Sequence, residues 1–170
     1  AVMPPTTTDV PISPPTHTAE ALLERLLTLI RDSRDIQDFS AARIRRAFEV
    51  EFVSDEGRLG FGERLNREWW SSIELDPDGA YGPSFELAFR PDRSGTYPPA
   101  TGICGIDYDR FAAELIAMGF EHETCYGEHG RIVHESFERE GLSLTVHTRG
   151  EADEPPAKIT HVCVLRGIAN

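Results

Sequence analysis

The stretch Gly102–Tyr126, GICGIDYDRFAAELIAMGFEHETCY, decides the fold because it contains a helix start, a helix, a helix end and the beginning of a strand. Asp107 or Asp109 can accept a hydrogen bond from the free backbone N–H groups of a first helical turn. Apolar side chains then recur at helical spacing, and Gly119 can take the left-handed conformation that ends a helix. Phe120 follows as the first apolar residue of a strand, so the stretch predicts a helix that packs on a sheet.

The sequence after this helix is typical of a β-meander. Alternation of apolar and polar residues predicts strands at residues 120–126, 131–137, 142–148 and 158–165. Short glycine-containing or acidic segments separate them, as expected for turns. An antiparallel sheet of this kind buries one face and leaves the other in contact with solvent.

The first half of the chain repeats this order of elements. Thr18 is the predicted cap of a leucine-rich helix, and Asp38 or Ser40 caps a second helix. Strands follow, most clearly at residues 69–75 and 85–89. The sequence therefore predicts an α+β fold in which helices pack on one face of an antiparallel sheet, built from two tandem helix-plus-β-meander units.

The predicted domain organisation has four parts. Residues 1–16 form a disordered Pro/Thr-rich tether, 17–90 the first helix-plus-sheet unit, 91–101 a linker, and 102–170 the second unit. A proline-rich tether before a compact domain is typical of a secreted protein or of a lipoprotein whose signal has been removed. We therefore expect a periplasmic or secreted protein, with an N-terminal lipid anchor as an alternative.

The charge of the chain limits its partners. Seventeen basic and 29 acidic residues give a formal net charge of −12. Such a charge repels phosphate backbones, so we expect no nucleic-acid binding, and it attracts a basic protein. The longest apolar cluster is interrupted by charged residues, so contact with a membrane is expected only through a lipid anchor.

Three cysteines, Cys104, Cys125 and Cys163, cannot all pair within one chain. A disulfide between Cys104 and Cys125 would close a loop of about 20 residues and stabilise the fold by roughly 3 kcal/mol. We expect this pair to form and Cys163 to be a buried free thiol on the last strand. The competing pairing is Cys125 with Cys163.

Histidines are concentrated in the last third of the chain. Alternation in their strands predicts that His134 and His147 face away from the core and lie side by side. Glu135 or Glu138 could join them only by breaking that alternation. No His-x-His or His-Glu-x-x-His pattern is present, so no metal ion or other cofactor is expected. Five of the six histidines lie here: His122, His129, His134, His147 and His161.

The sequence lacks the common catalytic motifs. It contains no Gly-x-Ser-x-Gly segment around a nucleophile. Gly60 and Gly62 are not followed by the Lys-Ser/Thr pair of a phosphate-binding loop. Acidic pairs are too frequent in so acidic a chain to identify a general acid and base, and we therefore do not expect an enzyme.

A binding function fits these features better. Trp69 and Trp70 are adjacent, so in a strand one indole faces the core and the other faces the open side of the sheet. We expect an extracytoplasmic binding protein, and specifically an inhibitor or immunity protein that neutralises a secreted toxin, hydrolase or other enzyme through an acidic surface. The alternatives are a structural or assembly lipoprotein of the bacterial cell envelope and a metal-dependent enzyme. The predicted partner-binding residues are Trp69, Trp70, Asp76, Asp78, Tyr81, Glu151, Asp153 and Glu154.

Overall fold

The computed structural model describes residues 14–79, 82–93, 95–96, 98–130, 132–150 and 162–169. The helices are α1 (Ala19–Arg31), α2 (Ala41–Phe48) and α3 (Tyr108–Ala117). The strands are β1 (Val53–Asp55), β2 (Arg58–Arg64), β3 (Trp69–Asp76), β4 (Ser84–Pro91), β5 (Glu121–Tyr126), β6 (Ile132–Arg139), β7 (Leu142–Gly150) and β8 (Val162–Ala169).

All eight strands form one antiparallel sheet in the order β1-β2-β3-β4-β8-β7-β6-β5. Each half of the chain contributes a four-stranded meander, and the last strands of the two meanders, β4 and β8, pair at the centre. In that central ladder Phe85 lies opposite Ala169 and Ala88 opposite Arg166. The predicted α+β fold is confirmed, and the two meanders are joined into one continuous surface.

Local interactions set the ends of the helices: side-chain caps at their starts and, after α3, a glycine turn. Thr18, Ser40 and Asp107 accept hydrogen bonds from backbone N–H groups in the first turns of α1, α2 and α3. After α3 the chain reverses at Gly119, whose φ of +94° is readily adopted only by glycine. None of the helices in the described ranges is long and apolar enough to cross a membrane.

The core lies on one face of the sheet. Every second residue of β3 is buried, and the residues between them are partly or fully exposed. Ile44 of α2 and Leu115 of α3 join the same buried cluster as the inward side chains of the strands. We call the face under the helices the inner face and the opposite face the outer face. On β3 the side chains that point to the outer face are partly or fully exposed.

The turn between β6 and β7 is fixed against the loop that joins α1 to α2. The backbone N–H of Ile36 donates to the carbonyl oxygen of Gly141 at 3.0 Å. A Cβ atom at Gly141 would lie 2.7 Å from the Cβ atom of Asp35, which is closer than real Cβ atoms approach one another. The φ of Gly141 is also positive, at +85°, so two independent constraints require glycine here.

Most of the predicted tether lies outside the described residues, but its end is attached to the sheet. The backbone N–H and the hydroxyl of Thr16 donate to the Glu63 carboxylate at 2.6 and 2.8 Å. Next to it, His17 Nε2 lies 2.6 Å from the carbonyl oxygen of Phe48. These contacts attach the described chain to the rest of the fold just before α1 begins.

The predicted disulfide between Cys104 and Cys125 is wrong. The thiol of Cys125 is free and partly exposed on β5, whereas Cys104 is disulfide-bonded and packs against the core. The reason is topological: Cys125 lies in register with His134 on the outer face, and Cys104 lies on the side of the helices. The predicted burial of Cys163 concerns a side chain outside the described residues.

Candidate functional site

The two adjacent tryptophans lie on opposite faces, as predicted. Trp69 is 1 % exposed, and its Nε1–H donates to the carbonyl oxygen of Pro99 at 2.9 Å. Trp70 is 36 % exposed on the outer face. Trp69 is therefore a core residue, which corrects its inclusion among the predicted contact residues, and Trp70 is the accessible indole.

The side chains of Asp92 and Arg64 hold the Trp70 indole in place. Its Nε1–H donates to Asp92 Oδ1 at 2.8 Å, and Arg64 Nη2 donates to the same oxygen at 2.6 Å. The Arg64 guanidinium also lies 5.0 Å from the centre of the indole, a cation–π distance. The hydrogen bond from Trp70, together with the charge of Arg64, holds the pKa of Asp92 below its ordinary value against the opposing effect of desolvation.

A positively charged neighbour lies on each side of Trp70. In the strand register Trp70 is opposite Arg64 on β2 and opposite Arg90 on β4. Arg90 donates to Ser72 Oγ at 3.2 Å and to Glu86 at 3.0 Å, so its guanidinium is also fixed. The surface at the accessible indole is therefore not the acidic one that the net charge suggested.

The predicted acidic contacts lie at the other end of β3. Asp76 ends the strand six residues after Trp70, which corresponds to about 20 Å along an extended chain. It is in contact with Arg58 at 3.5 Å, and Asp78 in the following turn is exposed. A cavity of ≈ 430 Å³ opens beside Asp76, and its charged lining residues also include Asp55, Glu74, Glu86 and Arg58.

The structure thus separates two groups of residues that the sequence analysis placed on one surface. The outer face has an aromatic end around Trp70, with fixed arginines, and an acidic end around Asp76 and Asp78. Four of the other predicted contact residues, Tyr81, Glu151, Asp153 and Glu154, lie outside the described residues.

A second polar cluster lies on the inner face, at the edge formed by β5 and β6. Glu135 is only 6 % exposed. Its Oε2 accepts a hydrogen bond from Thr124 Oγ1 at 2.7 Å and lies 2.5 Å from His122 Nε2. The imidazole stacks on Phe137 with ring centroids 4.8 Å apart. The hydroxyl of Tyr108, at the start of α3, lies 3.2 Å from the same imidazole nitrogen.

This inner cluster is a hydrogen-bonded network around one buried carboxylate. Burial, and then the negative charge of Glu135 and its hydrogen bond, raise the pKa of Tyr108 far above its ordinary value, so the phenol stays protonated. A carboxylate beside an imidazole is also the arrangement that orients a general base. The shortest hydrogen bonds of the cluster join its own members and hold the Glu135 carboxylate within the fold.

The sequence analysis missed this network. The signal was available, because strict alternation places Glu135 on the same face as Phe137, which is fully buried. A carboxylate on a core-facing position requires hydrogen-bond donors, and His122 lies opposite Phe137 in the register of the neighbouring strand.

The predicted pair of outward-facing histidines is confirmed. The ring centroids of His134 and His147 are 5.9 Å apart, with planes inclined at 48°. Both residues are partly exposed. As they stand, the described side chains include no group of three His, Cys, Asp or Glu residues that could hold a metal ion.

Comparison with known proteins adds no assignment: no family model matches the chain, and no curated protein or solved structure matches it. The function must therefore be inferred from the residues and their geometry.

Proposed function

We propose that this chain is an extracytoplasmic binding protein that engages a protein partner through the outer face of its sheet. The observation that carries the proposal is the fixed, accessible indole of Trp70 on the outer face. Tryptophan and arginine are the residues most often responsible for binding energy at interfaces. Because Asp92 and Arg64 already hold this indole, binding would immobilise few side-chain rotamers, which favours affinity.

The partner that best fits the whole face is a secreted toxin or enzyme, which the chain would neutralise as an inhibitor or immunity protein. Such a function needs a rigid surface and no chemistry. A standard interface covers about 800 Å² on each partner, or a patch about 30 Å across. That patch can include both Trp70 and the acidic end at Asp76, about 20 Å away. The acidic end would steer a basic partner, and Trp70 would anchor it.

The test is capture of partners from the periplasmic or secreted fraction of the native organism, followed by an activity assay. The intact chain should retain a hydrolase or toxin and inhibit it at an equimolar ratio. Trp70→Ala should lose this capture. Ile116→Ala is the matched control, because Ile116 is a 54 % exposed apolar residue on α3 and therefore outside the outer face.

The two ends of the outer face should affect different rate constants of partner binding. Trp70→Ala should speed dissociation and weaken binding by about 2 kcal/mol or more. The double variant Asp76→Asn/Asp78→Asn should mainly slow association and reduce its salt dependence. Equal binding by the Trp70 and Ile116 variants would contradict the proposed surface. Capture of an envelope complex without inhibition would instead support a structural or assembly lipoprotein.

A further inference from the structure

Three side chains with affinity for metals form a row across neighbouring strands on the outer face. Cys125 on β5 lies opposite His134 on β6 in the strand register. The ring of His134 in turn lies beside that of His147 on β7, with centroids 5.9 Å apart. The Cys125 thiol is free, and all three residues are partly exposed.

Both ends of this row coincide with an irregularity in the sheet. The β5–β6 ladder shifts its register directly after Cys125, where one residue of β6 is skipped. The β7–β8 ladder shifts directly after His147, where one residue of β8 is skipped. Such bulges bend strands, redirect side chains and are over-represented next to functional sites. Two such bulges therefore border this row of side chains.

We propose that Cys125, His134 and His147 together bind a divalent transition-metal ion of the zinc class. One thiolate and two imidazoles are ligands that Zn²⁺ binds in proteins, and a set of three leaves a fourth position open to solvent or substrate. Carboxylate-preferring ions such as Mg²⁺ and Ca²⁺ do not fit this set of ligands. This site is distinct from the interface around Trp70 and does not depend on the proposed function.

The spacing is compatible with one shared ion. Neighbouring strands lie about 4.8 Å apart, so Cys125 and His147 flank His134 at about that distance on either side. Two imidazoles on one tetrahedral ion, each with a metal–nitrogen distance of about 2.0–2.1 Å, have centroids about 5 Å apart. The observed separation of 5.9 Å is slightly larger.

The three side chains must turn toward one another to bind the ion, since the described conformation does not bring them to ligand distance. The proposal requires rotation about χ1 of Cys125 and of the two histidines. Because the three side chains are partly exposed and do not belong to the buried core, the rotation leaves the core unchanged, and His147 exchanges an existing contact for the bond to the ion. Binding then exchanges the protons of the thiol, and of any charged imidazole, for the ion.

The experiment is a titration of the full-length chain with Zn²⁺ by calorimetry after treatment with a chelator, without thiol reductant. One ion should bind per chain. Loss of second-shell partners alone weakens metal sites by about 10–100-fold, so loss of a direct ligand in Cys125→Ser, His134→Gln or His147→Gln should weaken binding by at least about 100-fold. His129→Asn is the matched control, because His129 is an exposed histidine outside the row, and asparagine tolerates its φ of 61°.

Two further measurements identify the ligands. Co²⁺ in place of Zn²⁺ should give a thiolate-to-metal charge-transfer band that Cys125→Ser abolishes. Saturating Zn²⁺ should also slow alkylation of Cys125 in the intact chain and not in His134→Gln. Urea unfolding of each variant shows that it is folded. Three results would overturn the proposal. They are absence of Zn²⁺ binding by the intact chain, binding by all three ligand variants that equals that of the intact chain, and a Co²⁺ spectrum without the thiolate band.

Discussion

Trp69 and Trp70 are consecutive residues of one strand, yet they belong to different environments, 1 % and 36 % exposed. The histidines of the other half of the sheet divide in the same way: His122 lies on the inner face beside a buried carboxylate, and His134 lies on the outer face beside another imidazole. On the inner face, polar groups are matched by partners that folding requires. On the outer face, the aromatic and ionisable side chains do not contribute to the core. Both proposals therefore concern that face.

The largest expected contrast is between the two tryptophans. Trp69→Ala should lower the free energy of unfolding by about 3–5 kcal/mol, because it empties a buried site and removes the hydrogen bond to Pro99. Trp70→Ala should cost less than about 1 kcal/mol, since it loses one exposed hydrogen bond and one cation–π contact. Urea unfolding measures both, and similar losses would mean that the two faces are not distinguished as described.

The cysteines provide the next contrast. Cys104 is disulfide-bonded, Cys125 is free, and the sequence contains only one other cysteine, Cys163. We therefore expect a Cys104–Cys163 bond, and Cys104→Ser should cost about 2–4 kcal/mol, whereas Cys125→Ser should cost little. Peptide mapping without reduction checks the connectivity, and alkylation of the folded, unreduced chain should modify Cys125 alone. A mapped peptide that contains Cys125 in a disulfide would refute this assignment.

Glu135 tests whether the inner polar cluster stabilises the fold. Glu135→Ala leaves Thr124 and His122 without their common acceptor and removes the only largely buried carboxylate of this network. The expected loss is about 1–3 kcal/mol, reduced by water that can reach the exposed part of His122. Glu123→Ala is the control, because Glu123 is exposed on the outer side of β5, and its loss should cost less than about 0.5 kcal/mol. Equal losses would show that the network contributes nothing specific.

Much of the fold could be predicted because its determinants are local. Helix caps such as Ser40 and Asp107 act within one turn, and the left-handed Gly119 acts at a single residue. Alternation along a strand likewise predicted that His134 and His147 would be neighbours on the outer face, because successive side chains of a strand point to opposite faces.

The features that could not be predicted depend on distant residues meeting in space. The loop-length argument favoured Cys104–Cys125, but a disulfide needs Cβ atoms within about 4.5 Å, and the sheet itself separates those two residues. The argument from net charge placed Trp70 and Asp76 on one acidic surface, but the two residues lie at opposite ends of β3. The sequence also did not show that Arg64 and Arg90 would flank the Trp70 indole.

The smallest expected effect concerns Asp92 and its hydrogen bond from Trp70. The pKa of Asp92 is lower in the folded chain than in the unfolded chain, so the carboxylate stabilises the fold above its unfolded pKa, and this contribution is lost as pH falls through the folded value. In a ¹H–¹⁵N spectrum the Trp70 indole N–H should therefore shift below about pH 4, with a midpoint lower than that of a freely exposed aspartate. The Trp69 indole donates to a backbone carbonyl and should not follow this titration. Asp92→Asn should abolish the shift, and a shift that persists in that variant would mean that another group controls the environment of the exposed indole.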